Sequence, residues 1–330
     1  MSEQTSGGTA QGGQGGQEEY DVVVIGGGPV GENAAQYAIE GTDLTAAIVE
    51  GELLGGECSY WACMPSKALL RPVQVAGTTA DLGGVGETTL DVAGTLARRD
   101  EFTSHYDDAG QVSWAEGAGL TVVRGTGRLA GERVVDVSEV GGGAVTRRLL
   151  ARRAVVLATG SEPVVPQEYA DVVPWGSRDV TGVVDVPGRL AVVGGGVVAC
   201  EAATWMSALG AQVTQLVRGD RLLGSSEPFA GEAVQARLEE SGVTVHLGTT
   251  VSACTREGAQ DTGIGHVHGG PVTLTTTKGR SSPTRSSSRP AGAHASTSAW
   301  TASASPVTTS PGAGCRTGCS PSATSAARRR

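Results

Sequence analysis

Apolar runs and mixed segments follow each other along the chain in an order that repeats once. Residues 22–25 are a β-branched apolar run, which is typical of a buried parallel strand. Residues 32–40 predict a helix, and residues 45–49 predict a second strand. Strands at 191–193 and 212–217, with a helical segment between them, repeat this order. The pattern therefore predicts an α/β fold with two similar units, each built on parallel strands.

The segments between and after these units have patterns of their own. Residues 120–139 alternate apolar and polar positions and predict a small antiparallel sheet. The apolar residues 155–158 predict another buried strand, and residues 72–111 are expected to be helical in parts. Residues 227–241 predict a helix with an apolar face made of Phe229, Ala233, Ala236 and Leu238.

Three glycines follow the first strand in the spacing G-x-G-x-x-G. Gly26 would make the tight turn, Gly28 would let the backbone approach a pyrophosphate, and Gly31 would let the helix pack closely on the strand. Glu50, at the end of the second strand, can accept a hydrogen bond from a ribose hydroxyl. Together these residues predict a Rossmann-like, dinucleotide-binding unit. The alternative is a glycine-rich turn in another α/β fold.

The second unit carries a variant of the same glycine pattern. Gly194 and Gly196 hold the first two positions, and Ala199 stands at the third, which is an accepted replacement. The second strand of this unit ends without an acidic residue and is followed by Arg218 and Arg221. Arginine in this place can pair with the 2′-phosphate of NADP, so the sequence favours NADP over NAD. The alternative is that both arginines are simply solvated.

Charge and cysteine content exclude several classes of function. The chain of 330 residues has a formal net charge of −9, which disfavours nucleic acid and anionic membranes as partners. It contains no run of 18 apolar residues, so we expect no segment that spans a membrane. Residues 1–18 lack the basic and apolar regions of a secretory signal and are expected to form a disordered leader. Six cysteines in a chain of this length favour a cytoplasmic protein over a disulfide scaffold.

Two cysteines with four residues between them, Cys58 and Cys63, closely follow Glu50. We expect a helix to begin there, on which their sulfurs could approach bonding distance. A helix N-terminus also lowers the pKa of a thiol and so favours a reactive thiolate. These features predict a redox-active pair. No metal site is expected, because the neighbouring sequence does not supply the four ligands of a zinc site. A pair of buried structural cysteines is the alternative.

The stretch around these cysteines resembles the double-cysteine box G-G-T-C-x4-C-I-P-S-K. That box belongs to the flavin-dependent pyridine nucleotide-disulfide oxidoreductases, which include dihydrolipoyl dehydrogenase, mercuric reductase and glutathione reductase. The resemblance extends over about residues 20–279. Glu57 and Met64 differ from the box. The matching residues are Gly55, Gly56, Cys58, Cys63, Pro65, Ser66 and Lys67.

The resemblance implies a cofactor for each unit. FAD would bind to the first unit and NAD(P)H to the second. Hydride would pass from the nicotinamide to the flavin, then to a Cys58–Cys63 disulfide, and on to a thiol or disulfide substrate, as in dihydrolipoyl dehydrogenase. Besides the first glycine motif and Glu50, the implied FAD contacts are Gly56, Ala158, Thr159 and Gly160.

The resemblance also implies a role for individual side chains. Cys63 would form the charge-transfer thiolate beside the flavin, and Cys58 would exchange with the substrate. Lys67 matches the lysine that lies near the flavin ring, and Glu201 matches the glutamate that pairs with it. A cation in that place stabilises negative charge on the reduced ring.

The same resemblance suggests how the chain is divided. Residues 1–18 would be the leader, residues 19–165 the FAD-binding domain with the cysteine pair, residues 166–279 the NAD(P)-binding domain, and residues 280–330 a disordered tail. The tail contains no Asp, Glu, Leu, Ile, Phe or Tyr, so it cannot bury enough apolar surface to offset its ordering entropy.

Intact members of the resembling family are homodimeric. Their dimerisation domain brings a His-Glu pair to the exchanging thiol of the partner subunit, and this chain has no readable equivalent. Reading the tail in a shifted codon frame yields the second A-T-G and the G-D motif of the family, in order. We therefore hypothesise a frameshift near residue 279. The alternative is a genuine disordered tail rich in Ser, Ala and Arg.

Three functions remain open at this point. The first is an FAD-dependent NAD(P)H:disulfide oxidoreductase, with a lipoyl group, a low-molecular-weight disulfide or a metal ion as its substrate. The second is a non-catalytic fragment of such an enzyme. The third is an NAD(P)H dehydrogenase that passes electrons to quinones or oxygen, in which the two cysteines take no part.

Overall fold

The computed structural model describes residues 17–86, 88–278 and 295–300. No helix within these ranges is long and apolar enough to cross a membrane. The elements of the first half of the chain are β1 (Gln17–Ile25), α1 (Pro29–Ile39), β2 (Ala46–Glu50), α2 (Gly56–Tyr60), α3 (Cys63–Ala80), α4 (Val92–Phe102), a 3-10 turn (Ser104–Tyr106), α5 (Ala109–Gly117), β3 (Leu120–Arg124), β4 (Thr126–Gly131), β5 (Val134–Ser138) and β6 (Val145–Leu157).

Six strands form the first sheet, in the order β3-β2-β1-β6-β5-β4. β1 pairs in parallel with β2 and β6, and β2 pairs in parallel with β3. β4 pairs antiparallel with β5, and β5 pairs antiparallel with β6. The prediction of an α/β fold with a parallel sheet and a small antiparallel part is therefore confirmed. It was wrong for residues 120–124, because β3 joins the parallel strands instead of the antiparallel ones.

The central strand β1 is buried on both faces. Val22 and Val24 pack into one core cluster, and Val23 and Ile25 pack into another. Successive side chains of a strand point to opposite faces of the sheet, so burial on both faces requires a continuous apolar run. The run at 22–25 is therefore the reason that β1 occupies the middle of the sheet.

The end of β6 is less buried than the sequence suggested. The strand ends at Leu157, whose side chain is exposed, and Ala158 lies just beyond it. Strand β5 pairs with β6 only as far as Leu150, whereas pairing with β1 continues to Leu157. The last residues of β6 therefore have a strand neighbour on one side only, within the part of the chain that the structure describes.

The second half of the chain builds two smaller sheets. The order β7-β8-β9 is parallel, and the order β10-β11-β12 is antiparallel. The elements are α6 (Gln167–Ala170), α7 (Ser177–Thr181), β7 (Arg189–Val193), α8 (Val197–Ala208), β8 (Gln212–Leu216), α9 (Pro228–Glu240), β9 (Thr244–His246), β10 (Thr249–Arg256), β11 (Val272–Lys278) and β12 (Ala295–Trp300).

Helix α9 forms where the sequence predicts it, but its buried face shares only Leu238 with the predicted one. Phe229 is 72% exposed, whereas Gly231 and Leu238 are buried and Val234 packs against the same core cluster as Leu238. Positions i, i+3 and i+7 share one side of a helix, so these three residues form its inner face. A side chain at Gly231 would meet the carbonyl oxygen of Leu222 at 2.3 Å, which explains the glycine there.

Helix α3 connects the two halves of the molecule. Leu69 and Leu70 belong to the same core cluster as Trp205 and Met206 of α8. The first turns of α3 therefore lie beside the first unit, while its middle packs into the core of the second. This placement fixes the side chains at the start of α3 relative to both units.

The two ends of the chain differ in part from the expected disorder. Strand β1 begins at Gln17, so residues 17 and 18 of the predicted leader belong to the first sheet. Within the predicted tail, β12 pairs antiparallel with β11, because the edge of β11 offers backbone groups that any extended segment can bond. The expectation of no regular structure was therefore wrong for residues 295–300. The other predicted leader and tail residues, 1–16 and most of 280–330, lie outside the described residues.

Candidate active site

The first glycine motif forms a tight turn between β1 and α1. Gly26 has φ +101, and a Cβ there would lie 2.2 Å from the carbonyl oxygen of Ala158. A Cβ at Gly31 would lie 1.9 Å from the carbonyl oxygen of Gly26. Gly28 precedes α1 without a side-chain cap on the helix N-terminus. The turn therefore needs glycine for the reasons given by the sequence motif, and the first N–H groups of α1 are not capped by a side chain.

The A-T-G segment that follows β6 lies against this turn. The backbone of Ala158 and Thr159 is within 3.1 Å of the position that a Cβ of Gly26 would take. Gly160 has φ +69, a conformation that favours glycine. Segments that are about 130 residues apart in the sequence, from 26 to 160, thus meet at one place.

Glu50 lies beside the same turn, at the end of β2. Its Oε2 accepts a hydrogen bond of 2.6 Å from the Gly27 N–H, and its Oε1 accepts one of 2.7 Å from the Glu52 N–H. A carboxylate offers about four acceptor positions. The side chain is therefore held by the backbone and retains capacity for a ligand hydroxyl.

Helix α2, which carries Cys58, begins in contact with the glycine turn. The Gly55 N–H donates to the Gly27 carbonyl oxygen at 2.7 Å. Gly56 has φ +54, and a Cβ there would lie 2.7 Å from the Cα of Gly28. Only glycine permits this approach of the two backbones. The contact brings the cysteine segment directly to the first glycine turn.

The two thiols stand on two helices, not on one as we expected. Cys58 lies in the five-residue helix α2, and Cys63 is the first residue of α3. Trp61 and Ala62 break the helix between them, with φ/ψ of −126/−12 and −129/−86. Both cysteines are free thiols, and Cys63 lies close enough to Cys58 to raise the pKa of its thiol.

The environment of Cys58 opposes the charged thiolate. Partial burial raises the pKa of its thiol to about 11, and Cys63 and the charge of Glu32 contribute to the same shift. The expectation that a helix start lowers the thiol pKa is therefore wrong for Cys58. The physical reason is that Cys58 is the third residue of a short helix, partly withdrawn from water, with a carboxyl group nearby.

Lys67 and Glu201 form the ion pair that the resemblance suggested. The distance from Lys67 Nζ to Glu201 Oε1 is 2.7 Å. Lys67 lies one turn after Cys63 on α3, and Glu201 lies on α8 of the second unit. The predicted geometry of the pair is confirmed, and it connects the two units next to the thiols.

Two charged residues near the thiols were missed by the sequence reasoning. Glu32 directly follows Gly31, and its Oε1 is buried without a hydrogen-bond partner among the described residues. Burial and the charge of Glu50 raise the pKa of this carboxyl group. Arg178, on α7, binds both Glu52 and Glu57. Glu32 could have been noticed as an acid inside a glycine motif, whereas Arg178 meets its partners across more than a hundred residues of sequence.

The second glycine motif opens into a cavity of about 580 Å³. Gly194 has φ +131, Gly196 precedes α8 without a side-chain cap, and Ala199 is fully buried. Arg218 and Arg221 line the cavity with the glycine turn. The Arg221 Nη2 donates to the Gly224 carbonyl oxygen at 2.9 Å, whereas its Nε is buried without a partner among the described residues.

Both glycine turns fit the phosphate groups of a dinucleotide. Each precedes a helix of eleven or twelve residues whose N-terminus has no side-chain cap. A Cβ at Gly26 or Gly31 would collide with backbone, so the first turn is built for a close backbone approach. The acid at the end of β2 suits a ribose hydroxyl of a dinucleotide.

Comparison with known proteins identifies a matching family. A family model described as pyridine nucleotide-disulphide oxidoreductase matches residues 20–302. The chain is 36% identical over 256 residues to dihydrolipoyl dehydrogenase 3 of Pseudomonas aeruginosa, with 74% of this chain and 52% of that protein covered. It is 30% identical over 243 residues to the glutathione reductase of Burkholderia cepacia, with 72% and 52% covered.

A solved structure shares the fold. The flavoprotein disulfide reductase RclA from Escherichia coli, determined as a Cu(II) complex, superposes with a TM-score of 0.62 at 19% sequence identity. The superposition covers 78% of this chain and 53% of that one. The chain spans about half the length of the curated relatives that it matches.

Proposed function

The chain belongs to the pyridine nucleotide-disulphide oxidoreductase family, and we propose that it is an FAD-dependent NAD(P)H:disulfide oxidoreductase whose redox-active groups are Cys58 and Cys63. One observation carries the proposal. The helix that bears Cys58 begins against the first glycine turn, and Cys63 lies close enough to Cys58 to raise the pKa of its thiol. A dithiol pair is thereby held beside a dinucleotide site.

The first unit would hold FAD and the second would hold NADPH. The residues proposed to contact FAD are Gly26, Gly28, Gly31, Glu50, Gly56, Ala158, Thr159 and Gly160. The residues proposed to contact the nicotinamide nucleotide are Gly194, Gly196, Ala199, Arg218 and Arg221. The flavin, when bound, supplies two-electron transfer between the nicotinamide and a disulfide.

The two cysteines would divide the chemistry of disulfide exchange. Cys58 keeps its proton on Sγ near neutral pH, because its pKa is raised to about 11. Cys63 is the first residue of the eighteen-residue helix α3, whose N-terminus favours negative charge. We propose that Cys63 lies on the flavin side of the pair and that Cys58 exchanges with the substrate after giving up its proton, because the thiolate is the attacking species. Lys67, one turn after Cys63, would place a cation on the same side of α3 as Cys63, and Glu201 would orient the ammonium group of Lys67.

The proposed substrate is a small disulfide. The relatives of this chain include dihydrolipoyl dehydrogenases, a glutathione reductase and a mercuric reductase, so the family membership alone does not select among them. Dihydrolipoyl dehydrogenases predominate among the relatives compared. We therefore propose the lipoyl group as the first substrate to test.

Thiol counting after reduction by NADPH tests the proposal. The purified full chain is mixed with FAD, oxidised, freed of oxidant and treated with NADPH without oxygen. The expected result is two new thiols per chain, located by mass spectrometry at Cys58 and Cys63, and none in Cys58→Ser. If the Cys58→Ser variant still oxidises NADPH with oxygen or a quinone as the electron acceptor, the result would instead favour an NAD(P)H dehydrogenase. Absence of both FAD binding and new thiols would indicate a non-catalytic fragment.

A further inference from the structure

One arginine that is not among the proposed catalytic residues binds the segment that carries the thiols. Arg178 lies in helix α7 between the two units. Its Nη1 and Nη2 donate to Glu52 at 2.9 and 3.0 Å, and its Nε donates to Glu57 at 2.8 Å. Its Nη2 also binds Glu57. The planar guanidinium thus joins two carboxylates that lie on either side of the start of α2.

The same arginine lies over the ring of Trp61, which stands between the two cysteines. The centre of the guanidinium is 5.0 Å from the ring centroid, within the range of a cation–π contact. The other neighbours of Trp61 add to this hold, since its ring stacks on Tyr106 at 4.5 Å and its carbonyl oxygen accepts from the Thr181 hydroxyl at 2.8 Å. Trp61 is therefore buried and fixed from three directions.

Helix α7 is itself held by hydrogen bonds and burial, which restricts the movement of Arg178. Asp179, its neighbour in sequence, accepts from the Gly176 N–H at 2.8 Å and from the Gly265 N–H at 3.1 Å. Val180 and Thr181 are buried. The arginine is 33% exposed, which leaves its contacts partly screened by water but does not remove the geometric restraint.

Helix α2 depends on such contacts for its position. It has five residues, far fewer than an isolated helix needs to be stable. Helix α3, by contrast, has eighteen residues and packs into the core of the second unit. The distance between the thiols therefore depends on what holds α2. The contacts that hold α2 are that of Gly56 with Gly28, the burial of Tyr60, whose hydroxyl donates to Gln111 at 3.0 Å, and those of Arg178.

We propose that Arg178 is a positioning residue for the thiol pair: by holding Glu57 and Trp61 it fixes α2 against α3 and so increases the stability of the Cys58–Cys63 disulfide. The inference depends on the proposed function, because it takes the two thiols to be redox partners. Thiols that are held close together form a disulfide more readily than thiols that move apart. Loss of the arginine should therefore make the disulfide easier to reduce.

Equilibration of the full chain with mixtures of reduced and oxidised glutathione measures this property. The sulfurs of Cys58 and Cys63 lose two electrons and two protons and form one S–S bond. The S–S bond of oxidised glutathione breaks, and its sulfurs take up those electrons and protons to give two molecules of reduced glutathione. After acid quenching and alkylation, the peptide 58–67 released by cleavage at Glu57 and Lys67 reports the fraction oxidised.

We expect Arg178→Gln to lower the equilibrium constant for disulfide formation about tenfold, which corresponds to about 30 mV in reduction potential. The matched control is Arg148→Gln, which removes another bidentate arginine pair, to Asp136, between strands β6 and β5. This control should match the unsubstituted chain. Arg178→Lys keeps a charge but cannot span both carboxylates. Its equilibrium constant should therefore lie between those of Arg178→Gln and the unsubstituted chain.

The outcomes separate this inference from the proposed function. If the unsubstituted chain forms no Cys58–Cys63 disulfide, the proposed function fails. If it forms the disulfide and Arg178→Gln has the same equilibrium constant, the positioning role is refuted while the proposed function stands. Circular dichroism checks that each variant is folded. Should Arg178→Gln not fold, an equilibrium constant of Arg178→Lys equal to that of the unsubstituted chain overturns the inference.

Discussion

The two glycine turns of this molecule start from nearly the same local sequence but lead to different surroundings. In the first, Gly26 to Gly31, the turn is covered by the start of α2, whose Gly56 approaches Gly28. In the second, Gly194 to Ala199, the turn faces an open cavity of about 580 Å³. The same turn is therefore proposed to bind phosphate in both units, and the segment beside it distinguishes the two sites.

The third position of the motif shows the first difference between the turns. Gly31 has no room for a Cβ, whereas Ala199 carries one and is fully buried. The residue that follows is Glu32 in the first turn and Cys200 in the second. The second strand ends at Glu50 in one unit and is followed by Arg218 in the other. Each of these differences can be tested by a substitution.

The largest effect is expected at the third position. Gly31→Ala would place a Cβ 1.9 Å from the Gly26 carbonyl oxygen, so the backbone must shift. We expect the free energy of unfolding to fall by about 3 kcal/mol, measured by urea denaturation. Ala199→Gly, the matched change in the second turn, should cost only about 1 kcal/mol, because it removes one methyl group at a helix start. Equal losses in the two variants would contradict the difference in packing.

A smaller effect is expected at the cavity of the second unit. Arg218→Ala should weaken binding of 2′,5′-ADP about tenfold, because one charge-assisted contact of about 1.5 kcal/mol is lost at an exposed site. Binding of 5′-ADP, which lacks the 2′-phosphate, should not change. Isothermal titration calorimetry measures both ligands. If the unsubstituted chain binds the two equally, the preference for NADP is wrong.

Much of this comparison could be predicted from the sequence, because it depends on local patterns. Strand β1, helix α9 and both glycine turns are set by apolar runs and glycine spacing within about ten residues. Leu238 on the buried face of α9 was predicted, but the rest of that face was not, because Phe229 is apolar and yet lies outside the core cluster that Leu238 enters. The break at Trp61 and Ala62 was also not predicted, since it depends on contacts with Arg178 and Thr181 far along the chain.

A third and smaller effect is expected at Glu32, the residue that follows Gly31. Glu32→Gln should lower the pKa of Cys58 below its value of about 11, because the variant removes a negative charge that opposes the thiolate. The lowering should be small, because burial and Cys63 contribute more than Glu32 to the raised pKa of Cys58. The pH dependence of Cys58 alkylation by iodoacetamide, read on the peptide 58–67, measures it. A pKa that is unchanged or raised would contradict this arrangement.

The smallest effect on stability is expected at the ion pair that joins the two units. Lys67 is 62% and Glu201 is 29% exposed, so water screens their attraction. Lys67→Met should change the free energy of unfolding by no more than about 1 kcal/mol, measured by urea denaturation. A much larger loss would mean that the pair holds the units together, rather than serving the site beside the thiols.

The central claim is that the cysteine pair beside the first glycine turn is redox-active. The most direct test is to treat the protein with an oxidant and determine which of the four described cysteines become oxidised. After treatment with oxidised glutathione and digestion at Glu57 and Lys67, we predict that the peptide 58–67 is two hydrogens lighter and cannot be alkylated. Cys200 and Cys254 should remain thiols that alkylate after unfolding. A peptide 58–67 of unchanged mass, or one in which Cys58 and Cys63 each carry a separate glutathione, would contradict the claim.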